Sequence, residues 1–397
     1  MKKRIFAAAL LLLCLAATAL AGGAEQVQYF DKGNRVEPKA LDVYTYGGSQ
    51  RDWLYQMAVS DDGLIALTGW TESSDGTLKN RTKKGRSGWL LVLDRNGQEV
   101  VNFCTRLGNH DHLEWPVFHE DGTLTMMLFA EDANVGWTKH ELIRIDMKGE
   151  VLSRKVIAQK GEKDEHFITV MGHDARGYIL QEVLYGDGGY CHYTLYDDEG
   201  NRVRRLEEWT GLNAFSDAHV IREGEPDGRE MWLYARDEKE NESPLCSVFA
   251  LREDRLRPVM LDGFVSLPDG GAAGAGWLLQ EEGNDKKRIG LFTRWDAQGG
   301  IVSQMLTPGW GYGEMAMRPG GFAATAYPWD EDWKNDAVWA LHLLDQNGVL
   351  QETIALTSDA VGTGHNACVG ALGDGTVVAA HVSPENGQDA VVTIIRP

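Results

Sequence analysis

Four of the eleven histidines in this 397-residue chain fall at one recurring place. His112, His166, His219 and His365 each lie nine to eleven residues ahead of the glycine of a short polar turn. Carboxylates accompany them: Asp111 adjoins His112, Asp164 lies near His166, and Asp217 near His219. Asp52 takes the corresponding place ahead of the first such turn, and Glu314 that ahead of the sixth. Neutral imidazole combined with carboxylate is a donor set for Zn, Mn or Ni, and imidazole can also move protons near neutral pH. A divalent metal would therefore suit this set, and no other cofactor is expected. The plainer reading is that polar loop residues cap strand ends or face water. No catalytic residue stands out: the chain has no P-loop, GxSxG elbow, HExxH or EF-hand loop. Paired carboxylates for glycoside hydrolysis cannot be picked out, because the required separation is spatial.

Aromatic residues form the second constellation. Of 13 tryptophans, Trp70, Trp115, Trp137, Trp310, Trp329 and Trp333 fall where loops are expected. Rings flanked by carboxylates, as in Pro328-Trp329-Asp330-Glu331-Asp332-Trp333, could stack on sugar faces while the acids bond hydroxyls. The same rings could instead fold over the edges of the sheets. Lys79 to Arg86 reads as the only cationic patch.

These groups must be held by strands, and a repeated turn shows how. Seven Gly-containing turns separate apolar, β-branched runs: Asp61-Asp62-Gly63, Glu120-Asp121-Gly122, Ala175-Arg176-Gly177, Pro226-Asp227-Gly228, Pro268-Asp269-Gly270, Pro319-Gly320-Gly321 and Gly373-Asp374-Gly375. A period of about fifty residues in an all-β chain indicates a propeller. A second series, an aspartate followed three residues later by glycine, interleaves with the first at Asp94, Asp146, Asp197, Asp296 and Asp345. A degenerate copy is expected at Arg252 to Arg255. Each unit then reads as four strands; in the first these are Trp53 to Ser60, Leu64 to Thr71, Trp89 to Asp94 and Val100 to Thr105. The last unit stops after a third strand, Ala390 to Ile395, while Leu41 to Tyr46 is an extra strand ahead of the first unit. The expected fold is an all-β, seven-bladed propeller of four-stranded blades whose N-terminal strand completes the last blade. Closure of that kind removes an open sheet edge. In such a ring the loops ahead of the inner strands gather at one mouth of the central channel, where the histidine set would converge.

The stretch Gly47-Gly48-Ser49…Asp52, Asp62-Gly63-Leu64-Ile65, Thr68-Gly69-Trp70-Thr71, Ser73-Ser74-Asp75, Gly88-Trp89-Leu90 and Leu93-Asp94-Arg95-Asn96-Gly97 resembles the bacterial β-propeller repeat of the SBBP type. The resemblance covers the first blade, about one seventh of the chain; elsewhere only turns and strand pattern survive. It implies a propeller fold and an exported location, and it brings no common catalytic set.

Lys2, Lys3 and Arg4 ahead of the apolar run Ile5 to Leu20 read as a signal peptide over residues 1–21, with Ala19-Leu20-Ala21 as the cleavage pattern. Residues 22–397 then form one propeller domain, with 22–40 as a lead-in. No other run is long and apolar enough to span a bilayer. The net charge of −20 argues against nucleic acid, whose binding depends on neutralising phosphate. Cys104, Cys191, Cys246 and Cys368 fall in four different blades, with no zinc-knuckle spacing, and are expected as buried free thiols. The expectation is a secreted or cell-envelope monomer that binds a glycan or polypeptide through its loop face without catalysis. A metal-assisted hydrolase or lyase at the channel mouth, and a structural envelope component, are the alternatives.

Overall fold

The computed structural model describes residues 27–29, 41–78, 85–105, 110–132, 136–159, 165–185, 190–206, 212–216, 218–223, 231–236, 242–248, 256–282, 285–328, 340–356, 367–382 and 389–397, in places by backbone alone. Two strands precede the repeats, β1 (Val27–Tyr29) and β2 (Asp42–Tyr46). Blade 1 is β3 (Asp52–Val59), β4 (Ile65–Thr71), β5 (Ser87–Leu93) and β6 (Glu99–Cys104). Blade 2 is β7 (His110–Phe118), β8 (Leu124–Asp132), β9 (Gly136–Ile145) and β10 (Val151–Gln159). Blade 3 is β11 (Glu165–Asp174), β12 (Gly177–Tyr185), β13 (Tyr190–Tyr196) and β14 (Arg202–Leu206). Blade 4 is β15 (Leu212–Phe215), β16 (His219–Glu223), β17 (Met231–Arg236) and β18 (Glu242–Ser247). Blade 5 is β19 (Leu256–Ser266), β20 (Ala272–Glu282), β21 (Asp285–Trp295) and β22 (Ile301–Pro308). Blade 6 is β23 (Trp310–Arg318), β24 (Gly321–Pro328), β25 (Ala340–Asp345) and β26 (Leu350–Ala355). Blade 7 is β27 (Cys368–Ala371), β28 (Val377–Val382) and β29 (Ala390–Ile395), completed by β2.

The chain is thus a seven-bladed β-propeller of antiparallel four-stranded sheets, closed by the N-terminal strand. Asp42 to Tyr46 pairs antiparallel with Ile394 to Ala390. A finer feature was not legible: β1 lies parallel on β22, with Val27 opposite Gln304, so blade 5 has a fifth strand.

The Asp-to-Gly turns explain themselves physically. In each, one Asp carboxylate oxygen accepts the backbone N–H groups two and four residues on, at Asp94, Asp146, Asp197, Asp296 and Asp345. The glycine that follows sits at φ between 76° and 81°, a left-handed conformation that costs a side-chain-bearing residue energy.

Blade 4 departs from the expected register. Its first turn is Ser216 to His219, where the Ser216 N–H donates to the His219 carbonyl at 2.9 Å. Pro226-Asp227-Gly228 falls instead between β16 and β17. The third and outer strands are β17 and β18, so Arg252 to Arg255 follows the outer strand rather than preceding it. Turn chemistry marks a reversal without saying which of a blade's reversals it is. The slip moves His219 to the far end of its blade.

Seven apolar clusters hold the ring, one at each junction between blades. Strands buried on both faces, such as β4 and β5, which are buried at every position, suit sheets stacked face to face. Of the cysteines, Cys104, Cys246 and Cys368 are free thiols; the side chain of Cys191 lies outside the described residues.

Candidate functional site

The inner strand of each blade faces the axis, and residues from all seven blades line a central cavity of about 640 Å³. Six of the seven inner strands carry an irregular pairing near mid-strand, for example between Leu54 and Gln56, Glu114 and Val117, and Met260 and Gly263. A bulge re-aims the side chains around it, and here it turns them into the channel. Trp115, which lines the cavity, is the non-glycine residue with positive φ among those described, at 53°. Such strain persists only where the surroundings enforce it. Its N–H donates to Gln56 Oε1 at 2.5 Å, and its carbonyl accepts from the Tyr178 hydroxyl at 3.2 Å. Blades 1 and 3 thus both pin a tryptophan that belongs to blade 2.

The apolar side chains of the wall include Met57, Met171, Met315 and the rings of Trp115, Phe215, Phe264 and Tyr327, while Gln56, His173, Ser216 and Ser266 add polar groups. Two carboxyl groups interrupt it, Asp262 on β19 and Glu314 on β23. Backbone contact brings their strands together, since a Cβ on Gly263 would lie 2.6 Å from Met315 Cβ and 2.9 Å from the Gly313 carbonyl. Burial, and then the nearby Asp262 charge, push the Glu314 carboxyl up to about 8, although it accepts the Val369 N–H. At neutral pH Glu314 is therefore a protonated acid, able to donate a hydrogen bond into the cavity. The Cys368 thiol behind it is pushed well up by burial and by Glu314, which makes it inert.

At the end of the channel nearest the first turns, Ser216 Oγ and Ser266 Oγ are 2.6 Å apart, and His219 Nδ1 is 3.3 Å from Ser266 Oγ. Nearby, His173 Nε2 lies 2.8 Å from Asp198 Oδ1, and His119 Nδ1 lies 3.8 Å from Asp198 Oδ2. Burial holds the imidazoles of His119 and His219 below their ordinary range, so both are neutral at pH 7.

Among the described residues, the histidine set does not converge. His112 stacks on Phe129, 4.8 Å between ring centroids, with Nε2 3.4 Å from Glu114 Oε1. His219 stands at the opposite end of its blade. Only the backbone of His166 is described, and His365, Asp164 and Asp217 lie outside the described residues. Asp52 and Asp111 are buried and lock loops in separate blades. Asp52 accepts the Gly48 N–H and the Ser73 hydroxyl, each at 2.7 Å, together with the Thr71 hydroxyl. Asp111 accepts the Thr105 hydroxyl at 2.8 Å. Of the carboxylates singled out, Glu314 lines the channel. No group of three or more His, Cys, Asp or Glu able to hold a metal occurs among the described residues.

The aromatic set divides likewise. Trp115 faces the cavity. Trp70 belongs to β4 rather than to a loop; it is buried against Trp53, and the Arg86 guanidinium lies 3.9 Å from its ring centroid. Trp310 packs on His342 at 4.8 Å. Trp329 and Trp333 lie outside the described residues, as does the side chain of Trp137.

Sequence reasoning missed Asp262. The signal was present as an acid next to glycine inside an inner-strand apolar run, in Leu261-Asp262-Gly263 and again in Gly313-Glu314-Met315. Such a pair marks a bulge and a close backbone approach.

The chain matches no family model and no curated protein. Among solved structures it is similar to the β-propeller domain of the Trilobed protease from Pyrococcus furiosus, at 12% identity and TM-score 0.45, covering 86% of this chain and 95% of that one. It is similar to the WD40 domain of SCAP from fission yeast at 10% identity and TM-score 0.39, covering 89% and 98%. A third is an α-L-arabinofuranosidase from Fusarium graminearum bound to an iminosugar inhibitor, at 10% identity and TM-score 0.42, covering 90% and 98%.

Proposed function

We propose that this protein is an exported, non-catalytic binding propeller that takes a polypeptide segment bearing apolar side chains into its central channel. The observation that carries this reading is the channel wall: three methionines and the rings of Trp115, Phe215, Phe264 and Tyr327 beside one protonated acid, Glu314. Methionine and aromatic surfaces accommodate varied apolar side chains. The Glu314 O–H can donate to a backbone carbonyl that such a ligand brings with it. Export rests on the Lys2-Lys3-Arg4 and apolar 5–20 pattern and on the likeness of the first blade to SBBP-type repeats.

Apolar peptides should change the tryptophan fluorescence of the wild type, and Trp115→Ala should abolish that response. Binding should weaken as pH rises through about 8, where Glu314 ionises. Glu314→Gln, neutral at every pH, should bind without that dependence. Equal peptide affinity in wild type and Trp115→Ala would place the ligand elsewhere. The protonated Glu314 next to Asp262 also favours a second reading, proton donation to a leaving group. Substrate turnover that Glu314→Gln eliminates would replace binding with catalysis.

A further inference from the structure

The outer strands of blades 2 and 3 differ from those of the other five. β10 carries Arg154 and Lys155, and β14 carries Arg202, Arg204 and Arg205. The outer strands β2, β6, β18, β22 and β26 contain no Lys or Arg. In a chain with a net charge of −20, these two edges gather the cations that lie on outer strands. Residues 151–156 and 202–205 are exposed throughout. They include Val151, Leu152, Val156 and Val203, which make up four of the seven exposed large apolar side chains among the described residues.

The two edges form one surface. Lys155 Nζ donates to Asn201 Oδ1 at 2.9 Å, and a Cβ on Gly200 would lie 2.9 Å from Ile157 Cδ1. Glu141 offsets Arg154 at 3.2 Å, so the surface stays cationic chiefly through β14. β10 ends its sheet, which runs β10-β9-β8-β7, and so presents a long backbone edge. Such an edge is a template for a further strand. The molecule itself shows an outer edge accepting one, where β1 lies along β22.

We propose that the joined edge of blades 2 and 3 docks an acidic, extended polypeptide, which adds as a strand to β10 while its carboxylates face Arg202 and Arg205. The aliphatic side chains receive its apolar residues, the edge supplies main-chain hydrogen bonds, and the cations select for acidic character. A lipid surface would use the charge and the aliphatic groups but not the β10 backbone.

The test uses the full chain with a labelled peptide of alternating Glu and Val, read by fluorescence anisotropy, and amide exchange across β10. The acidic peptide should bind more tightly than its Lys/Val counterpart, weaken with added salt and protect β10 amides. An N-methylated acidic peptide, unable to complete the ladder, should not bind. Reversing Lys155, Arg202 and Arg205 to Glu should weaken binding about tenfold or more, and the Gln versions should fall between. All three side chains are exposed, so melting temperature should not change. Equal binding of the N-methylated peptide overturns strand addition. Unchanged binding by the Glu variant overturns the site. Binding to phosphatidylglycerol vesicles without peptide binding overturns the polypeptide partner in favour of a lipid surface.

Discussion

The junction between blades 7 and 1 and the junction between blades 3 and 4 close the same ring by different physics. The first gathers fourteen buried residues in one apolar cluster, among them Leu54, Trp89, Val378 and Val392. The second gathers five, of which Val220 alone comes from blade 4. At the first junction β2 also reaches across to the neighbouring blade: the Tyr44 hydroxyl donates to the Asn96 carbonyl at 2.6 Å, and the Tyr46 hydroxyl to that of Gly97 at 2.5 Å. At the second, a buried ion pair stands in for apolar area. Arg236 donates to Asp174 Oδ2 at 3.0 Å, with both side chains 1% exposed, and Arg176 adds a second bond to Asp174 Oδ1 at 3.1 Å. Apolar closure tolerates small shifts, whereas a buried ion pair demands one geometry. The seam where the two chain ends meet has the forgiving kind.

The largest effect should come from breaking the seam. Deleting residues through Tyr46 removes the outer strand of blade 7 and uncovers Val392 and Ile394, both now buried. Burying large apolar side chains contributes about 1.5–3 kcal/mol each, so the loss should be on the order of 5 kcal/mol. A truncated protein that melts with the wild type would mean that β2 does not hold the ring.

The ionic junction should be nearly as sensitive to a single change but not to a paired one. Arg236→Met leaves Asp174 short of its buried partner and should cost about 3–5 kcal/mol. Adding Asp174→Leu should recover most of that, because Arg176 is 24% exposed and can turn to water. Urea unfolding of the two single variants and the double variant measures the coupling. Additive losses would show that the pair is not a unit.

The same contrast governs how much the sequence revealed. The seam was readable because its parts are periodic: a strand in excess at one end of the chain and a strand missing at the other. Blade count and the Asp-to-Gly turns followed from the same period. The 3/4 junction was not readable, because Ser216 to Ala218 carries no glycine and Pro226-Asp227-Gly228 marks a different reversal in the same blade. That slip placed His219 at the wrong end of its blade. The channel site was half legible. Glu314 came from its position ahead of a turn, but its partner Asp262 sits beside a bulge, where regular alternation no longer tells which side chains face inward. The cations of β10 and β14 escaped notice because they adjoin only across two blades, while Lys79 to Arg86 was contiguous in sequence.

The smallest effect is one of pH, and the two junctions should show it with opposite sign. Burial raises the Asp174 carboxyl, but the bonds from Arg176 and the Arg236 charge outweigh it and hold the group below its ordinary value. Its stabilisation is present above the unfolded value near 4 and is lost as pH falls below that. At the seam, Asp389 is pushed up to about 6, first by burial and then by the Asp52 and Asp75 carboxylates. Between about 4 and 6 the folded protein keeps a proton that the unfolded chain has released, so the seam weakens as pH rises through that window and changes no further above it. Solvent screening at this half-buried site should hold the effect to about 1 kcal/mol. Urea midpoints measured from pH 4 to 7 should therefore decline through this window more steeply in the wild type than in Asp389→Asn, which cannot ionise there. Parallel profiles would mean that the seam carries no such carboxyl.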